Sequence, residues 1–350
     1  MSERSRIFIA HPIPEPTINY LRQYGDVEVF RGHHRDINDD ELESAARRSD
    51  YIFCMHQTPV TEGMIKANPN LKGIGVTEVR DDLHAVEACK AAGVRLLVAN
   101  NTEEIINGNR QATADLMVAL LLDLAYRVVE ADRYSRATGY FQQMTCDLMG
   151  IGCTGKTTSL IGLGRVGLFA VPVLKALRMN VLYTKRNRLP REQEEELGVE
   201  WVEDRDELIS RGDFVSMLAN YEPANHKMFG EREFKLMKPT AYFINVGRGR
   251  LIDEDAMIRA LQDGTIAGAG LDVFYQEVGP TPRSSHDAYI PEALRKLDNV
   301  VLTPHNGGAT WDSRGRQTMA IAQAIVDDIV QRQNGATSNT AGNAPAAVGE

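Results

Sequence analysis

The sequence predicts an α/β protein built on two doubly wound, parallel sheets, and three observations carry that expectation. Short apolar runs alternate with amphipathic helical stretches along most of the chain, which is the rhythm of βαβ units. The rhythm pauses at one long helical stretch and then restarts, so two sheets are expected rather than one. At 350 residues the chain is long enough for two cores.

In the first half, residues 6–10 (RIFIA) read as a buried strand, ended by His11-Pro12. A helix follows at 15–24, then a strand at 26–30, a helix at 39–48 and a strand at 50–54. A short helix at 61–67, a strand at 71–76, a helix at 85–92 and a strand at 95–98 continue the alternation. Residues 111–136 form the long helical pattern, dense in apolar residues at first and striped later, so it reads as a core helix that also serves a domain or subunit contact. In the second half, strands are expected at 159–161, 180–183, 213–217, 241–245, 268–273 and 300–302, with helices between most of them. A last helix at 317–331 is expected to pack back on the first half. Residues 335–350 are small, polar and patternless and read as a disordered tail.

Charge and cysteines narrow the function classes. A net charge of −9 argues against a nucleic-acid partner, whose phosphates require clustered cations. Four scattered cysteines, with no CxxC spacing and no histidine cluster beside them, point to no metal site and to a reducing cytoplasm. The charged N-terminus does not read as a signal peptide, and no apolar stretch reads as a membrane span.

The strand at 159–161 runs into Gly162-Leu163-Gly164-Arg165-Val166-Gly167 and then into a helix at 168–177. In that context GxGxxG is a dinucleotide turn. The first glycine permits the tight turn, the second admits the pyrophosphate and the third lets helix and strand pack closely. The helix N-terminus offers amide N–H groups to the phosphates. The next strand ends in Lys185-Arg186-Asn187-Arg188, where an NAD site would carry an acid for the ribose 2′-hydroxyl. Cations there can pair with a 2′-phosphate, so NADP(H) is the expected cofactor, with NAD(H) the alternative.

Three further segments place polar residues at or just past predicted strand ends, the edge where open α/β sheets bind ligands. They are residues 243–253 (FINVGRGRLID), 269–277 (AGLDVFYQE) and 300–310 (VVLTPHNGGAT). Reducing a ketone needs a proton donor at the oxygen, and His305 has the ordinary titration range for it. A neighbouring carboxylate, Glu277, would favour the imidazolium, and Arg248 offers a fork of N–H donors to a substrate carboxylate and carbonyl.

These motifs and their order resemble the D-2-hydroxyacid dehydrogenase family, whose members include glyoxylate/hydroxypyruvate reductases and phosphoglycerate dehydrogenases. The resemblance spans roughly residues 71–324. It implies two Rossmann-like domains with the active site in the cleft between them, and Arg248, Glu277 and His305 as the catalytic three. It places Asp272 near the nicotinamide amide and adds Val246, Gly247 and Asn220 to the cofactor contacts. A discontinuous substrate domain is expected at 1–106 plus 308–334, and a dinucleotide domain at 107–307. The implied enzyme is a cytoplasmic homodimer that interconverts a small 2-oxo acid and its D-2-hydroxy acid.

Some segments depart from the family pattern. The expected glycine-rich substrate loop after the 71–76 strand reads Thr77-Glu78-Val79-Arg80-Asp81-Asp82-Leu83-His84. Val79, Arg80 and Asp81 are the substrate-binding candidates there. Arg80 is either an added cation for a second substrate group or a surface residue on a reshaped loop. Residues 101–111 read as a lengthened connection, 279–296 as an extended one, and Leu218-Ala219-Asn220 stands where His-x-Pro is common. Met55 and His56 could line a pocket. Four rivals stand beside this reading. A formate dehydrogenase-like enzyme would lack Glu277, a phosphite dehydrogenase-like enzyme would retain all three residues, an NAD(P)H-sensing corepressor would bind cofactor with little turnover, and a bare dinucleotide-binding regulator would tolerate loss of His305.

Overall fold

The computed structural model describes residues 4–32, 37–55, 58–79, 84–140, 146–275 and 290–340. Its contacts divide the chain into two units. One runs to Ile106 and resumes at Trp311, and the other begins at Asn107 and ends at Thr310.

In the first unit β1 (Ser5–Ile9), β2 (Gly25–Val29), β3 (Tyr51–Phe53), β4 (Gly73–Val76) and β5 (Arg95–Val98) alternate with α1 (Glu15–Arg22), α2 (Asp39–Arg47), α3 (Glu62–Ala67) and α4 (Val86–Ala92). Local signals set the helix ends. Asn38 and Glu41 form a capping box at α2, Thr61 caps α3, and α4 stops at Gly93 in the left-handed region. The strands pair in parallel in the order β2-β1-β3-β4-β5. Side chains alternate across the sheet. Ile7, Ile9, Tyr51 and Phe53 share one core with Ile321, Ile325 and Ile329 of the last helix, while Phe8, Ile52 and Ile74 share the other with Leu42 and Met64. Gly75 makes room for that last helix, because a Cβ there would lie 2.7 Å from Ile325 Cδ1 and 2.8 Å from Ile321 Cγ2.

The second unit holds most of α5 (Glu103–Tyr126), then α6 (Val128–Thr138), β6 (Thr157–Ile161), α7 (Arg165–Ala176), β7 (Asn180–Thr184), α8 (Arg191–Leu197) and β8 (Val199–Trp201). There follow α9 (Arg205–Arg211), β9 (Phe214–Met217), α10 (Glu231–Leu236), β10 (Tyr242–Asn245), α11 (Glu254–Gln262), β11 (Gly268–Leu271), α12 (Glu292–Arg295) and β12 (Val300–Leu302). The last helix, α13 (Trp311–Thr340), rejoins the first unit. The sheet is parallel, in the order β12-β11-β10-β9-β6-β7-β8, so its direction of winding reverses between β6 and β9. Strands such as Phe214–Met217 are buried on both faces, as helices cover both sides.

The structure corrects four expectations. The long helix at 111–136 starts earlier, at Glu103, so the stretch read as a lengthened connection is mostly helical. It also breaks at Arg127, which is left-handed at φ 53°. The break is held locally: Asp123 Oδ1 accepts from Val129 N at 2.8 Å, and the Arg127 guanidinium pairs with Glu130. Strand β8 went unread because three residues are too few to show a period. Finally, α13 runs from Trp311 to Thr340, into the stretch expected as tail, since residues 335–340 contain no proline to stop it and glycine alone is a weak stop inside a helix.

Candidate active site

The dinucleotide turn lies between β6 and α7 at the strand-end edge of the second sheet. Gly162 sits at φ 94°, and a Cβ on it would come 2.8 Å from Ala219 N. Gly164 has nothing within 4 Å of a Cβ position, which leaves open space at the start of α7. A Cβ on Gly167 would lie 2.8 Å from Leu163 Cδ1, so helix and turn pack closely only because it has none. No side chain caps α7 at Gly164, which leaves its first-turn N–H groups for an anion. Leu163 is buried, Arg165 is exposed and bonds Asn107 Oδ1 at 3.1 Å, and Val166 is half-buried. These residues fit a dinucleotide pyrophosphate.

Neighbouring strand ends converge on the turn. The Gly247 backbone stands against β9 and the residues after it, where a Cβ would be 3.0 Å from Met217 O and 3.3 Å from Ala219 O. Val246 is buried and Asn220 is exposed, its carbonyl accepting from Asn225 Nδ2 at 2.8 Å. After β7 the four basic-cluster residues differ in their ties. Lys185 Nζ donates to Leu163 O at 3.1 Å, directly under the glycine turn. Arg186 pairs with Glu222 at 2.9 Å on the surface, and Asn187 is exposed. Arg188 makes two bonds to the buried Glu194, at 2.8 and 2.7 Å. Together with the Tyr183 hydroxyl, 2.6 Å away, the Arg188 guanidinium holds the Glu194 carboxyl down at about 2.

The β10 turn carries Arg248. Buried Asn245 braces it, accepting from Gly247 N at 3.1 Å and donating to Arg248 O at 3.4 Å. The exposed Arg248 guanidinium bonds Gly247 O at 2.7 Å. A Cβ on Gly249 would overlap the Phe274 carbonyl and lie 2.6 Å from Tyr275 N. The Arg248 turn therefore rests directly on the backbone that leads from β11 toward Glu277. That backbone is also held by Glu254, whose carboxylate accepts from Tyr275 N at 3.1 Å and is pushed up in pKa by burial.

His305 follows β12 and is a left-handed non-glycine residue, at φ 56°. Such a conformation persists only when neighbours impose it. Here Asp272 imposes it. Its carbonyl accepts from His305 N at 3.0 Å. Its buried carboxylate accepts from Thr303 Oγ1 and Asn306 N at 2.6 Å and from Gly307 N at 2.9 Å. The imidazole is presented at an exposed position. In the first unit Val79 is exposed. Glu277, Arg80, Asp81 and His56 lie outside the described residues.

The structure thus brings the glycine turn, residues 218–220 and the Val246–Gly247 turn together, and sets the Arg248 and His305 turns on the same sheet edge. Sequence reasoning gave no role to Asn245, Glu254 or Glu194. Asn245 carried a signal, being polar at the end of an apolar strand, and Glu254 carried one as a first-turn acid of α11. Glu194 had only its separation from Arg188, which no motif predicts. Tyr221 and Tyr275 also flank His226, with hydroxyls 3.4 and 3.5 Å from its ring nitrogens. No group of three or more histidine, cysteine, aspartate or glutamate residues that could hold a metal occurs among the described residues. No helix among them is long and apolar enough to cross a membrane.

A doubly wound sheet that carries an open glycine turn and, on the same strand-end edge, a fixed histidine fits a nicotinamide-dinucleotide oxidoreductase. Residues 118–307 match the family model for the D-isomer specific 2-hydroxyacid dehydrogenase, NAD binding domain. A Staphylococcus aureus protein named "Putative 2-hydroxyacid dehydrogenase" is 33% identical over 324 residues, covering 93% of this chain and 96% of its own. A Polaromonas crystal structure named "putative D-isomer specific 2-hydroxyacid dehydrogenase, NAD-binding" is 27% identical with a TM-score of 0.75, over 92% of this chain and 95% of that one. The NADPH-dependent glyoxylate/hydroxypyruvate reductase of Sinorhizobium meliloti is 25% identical with a TM-score of 0.65, over 91% and 93%. The chain belongs to the D-isomer-specific 2-hydroxyacid dehydrogenase family, and it is a 2-hydroxyacid dehydrogenase.

Proposed function

We propose that this enzyme uses NADPH to reduce a small 2-oxo acid to the D-2-hydroxy acid, with Arg248, Glu277 and His305 as its catalytic residues. The observation that carries this reading is the left-handed His305 turn locked by Asp272 on the sheet edge that also bears Arg248 and the glycine turn. A bound nicotinamide would supply hydride chemistry at the keto carbon. The His305 imidazolium gives its proton to the keto oxygen, and in the reverse direction takes it back. Glu277 favours the charged imidazole, as a nearby carboxylate must. Arg248 holds the substrate carboxylate and polarises the carbonyl. Residues 162–167 take the pyrophosphate, and Val246, Gly247, Asn220 and Asp272 stand along the rest of the cofactor. Asp272 acts there chiefly through the His305 turn. Val79, Arg80 and Asp81 bind substrate in this reading.

NADPH preference rests on Lys185, Arg186 and Asn187 at the end of β7, where no acid stands for a 2′-hydroxyl, and the Sinorhizobium relative is NADPH-dependent. Arg188 is already committed to Glu194. The protein is a homodimer in this reading. Tyr126, Val128, Tyr134, Tyr140 and Met149 leave large apolar surfaces exposed around the α5–α6 break.

Initial rates of NADPH and NADH oxidation with glyoxylate, hydroxypyruvate, pyruvate, and branched, aromatic and dicarboxylic 2-oxo acids test this. Turnover that is faster with NADPH supports it. Tight NADPH binding with no turnover of any acid overturns it. Light scattering on a sizing column at micromolar concentration tests the dimer, and a monomer would remove that part.

A further inference from the structure

The stretch from Arg248 to the start of α11 meets two strips of backbone, all within the second unit. On one side residues 227–229 fasten it. Lys227 N donates to Arg250 O at 2.9 Å, Phe229 N to Leu251 O at 3.1 Å, and Asp253 N to Phe229 O at 2.9 Å. On the other side buried Gly249 presses on the exit from β11, where a Cβ would come 2.0 Å from the Phe274 carbonyl. That contact holds the Arg248 turn only as firmly as residues 274–275 are themselves held. Glu254, in the first turn of α11, holds them: its Oε1 accepts from Tyr275 N at 3.1 Å.

A first-turn acid ordinarily serves its own helix. Here Asp253 does that, accepting from Ala256 N at 3.4 Å, and exposed Asp255 adds its charge to the same end. Glu254 turns instead to another segment. It is half-buried, and burial pushes its pKa up against the pull of the Tyr275 N–H and of Lys227. Keeping a carboxylate there is unfavourable unless the bond it makes is used. Tyr275 is gripped further. The Lys227 ammonium lies 5.4 Å from the centre of its ring and 3.6 Å from Asp253 Oδ2, and the Tyr275 hydroxyl reaches His226 Nε2 at 3.5 Å. The contacts close a loop that runs from the Arg248 turn into α11, across from Glu254 to Tyr275, and back through Phe274 to Gly249.

We propose that Glu254 is a positioning residue for Arg248: by fastening Tyr275 it keeps the chain against Gly249 in place, and so sets where the Arg248 guanidinium meets the substrate. This rests on the reading of Arg248 as the group that holds and polarises a 2-oxo acid. A charged acceptor strengthens a bond from a backbone N–H, and a fixed turn spares the guanidinium a search for its geometry. Glu254 acts through the Arg248 turn at the end of β10. Its loss therefore falls on the substrate end of the site and leaves the glycine turn, which lies across β9 at the end of β6, as it is.

The test compares the full chain as wild type, E254A, E254Q and E254D, each also combined with R248K, using whichever of glyoxylate, hydroxypyruvate and pyruvate turns over fastest. E254A should lower kcat/KM for the 2-oxo acid about 10- to 100-fold while the KM for NADPH stays within about threefold. E254Q keeps an acceptor oxygen at full reach and should recover most of that loss. E254D keeps the charge but is one methylene short of Tyr275 N, and should recover little. In the R248K background, where the guanidinium fork is already gone, E254A should cost less than about threefold more. Equal losses in both backgrounds, an E254Q no better than E254A, or an E254D as active as wild type overturns the proposal. Should E254A not fold, E254D takes its place in both backgrounds with the same criteria. If no 2-oxo acid is reduced, or if R248K turns over like wild type, the reading of Arg248 fails separately. Amide hydrogen exchange at Tyr275 then decides for Glu254: protection in wild type and E254Q that is lost in E254A and E254D supports the anchor, and equal exchange in all four overturns it.

Discussion

The strand-end edges of the two sheets are built in different ways. On the second sheet, functional side chains ride on tight turns whose backbones are pinned by buried polar groups and by glycines in direct contact with neighbouring chain. Asp272 holds the His305 turn, Asn245 the Arg248 turn, and Gly249 lets that turn rest on residues 274–275. On the first sheet, His11 meets Thr58 and Thr17 meets Thr318, each pair drawn from separate segments and joined through side chains alone. Pinned backbone gives the positional accuracy that proton and hydride transfer need. Side chains from separate segments can be exchanged one at a time, so this edge is the less constrained of the two in sequence.

The sharpest way to break this contrast is at His305. His305→Ala should lower kcat by about 10²- to 10⁴-fold while NADPH affinity, read by fluorescence titration, stays within about threefold. Wild-type turnover would show that this edge does not carry the proton. Asp272→Asn comes next. The amide keeps the size but replaces an acceptor oxygen with a donor, facing N–H groups that already donate. A displaced imidazole should cost about 10²-fold in kcat, again with NADPH binding retained. If NADPH binding fell instead and kcat held, Asp272 would be a cofactor contact rather than the anchor of the His305 turn.

The same contrast explains how much could be read beforehand. Pinned turns need particular residues at fixed spacing, so Gly162–Gly167, Gly247–Gly249 and Asp272 stand out in the sequence as motifs. Alternating apolar runs gave both sheets, because buried parallel strands admit little else. Glu194 carried no such signal. Its meaning depends on which charges the fold brings near it, and it stands out only once Arg188 is seen against it. The break at Arg127 was illegible for a related reason: it depends on Glu130 capturing the Arg127 guanidinium and on Asp123 accepting from Val129 N, at a residue whose type favours continuing a helix.

A smaller effect separates the basic residues after β7. Lys185→Ala combined with Arg186→Ala should raise the KM for NADPH about tenfold or more and that for NADH less than about threefold, as two charge-assisted contacts to a 2′-phosphate would be lost. Equal changes for both cofactors would mean that these side chains do not read the 2′-phosphate.

The smallest effect is expected at Arg188, where the cluster serves structure. Arg188→Met should leave the NADPH-to-NADH ratio within about twofold and lower stability slightly at pH 7, because Glu194 would keep its burial and lose its cation. The pH dependence distinguishes this from a general packing loss. The folded Glu194 carboxyl titrates at about 2, below its ordinary value of 4.5. Its pairing therefore stabilises the native state fully above pH 4.5, and that contribution is lost as the pH falls from 4.5 through 2. Melting temperatures of variant and parent should differ at neutral pH and converge across that window. A constant difference down to the lowest pH would assign the loss to packing, and a fall in NADPH affinity as large as that of the Lys185/Arg186 double variant would show that Arg188 leaves Glu194 to meet the cofactor.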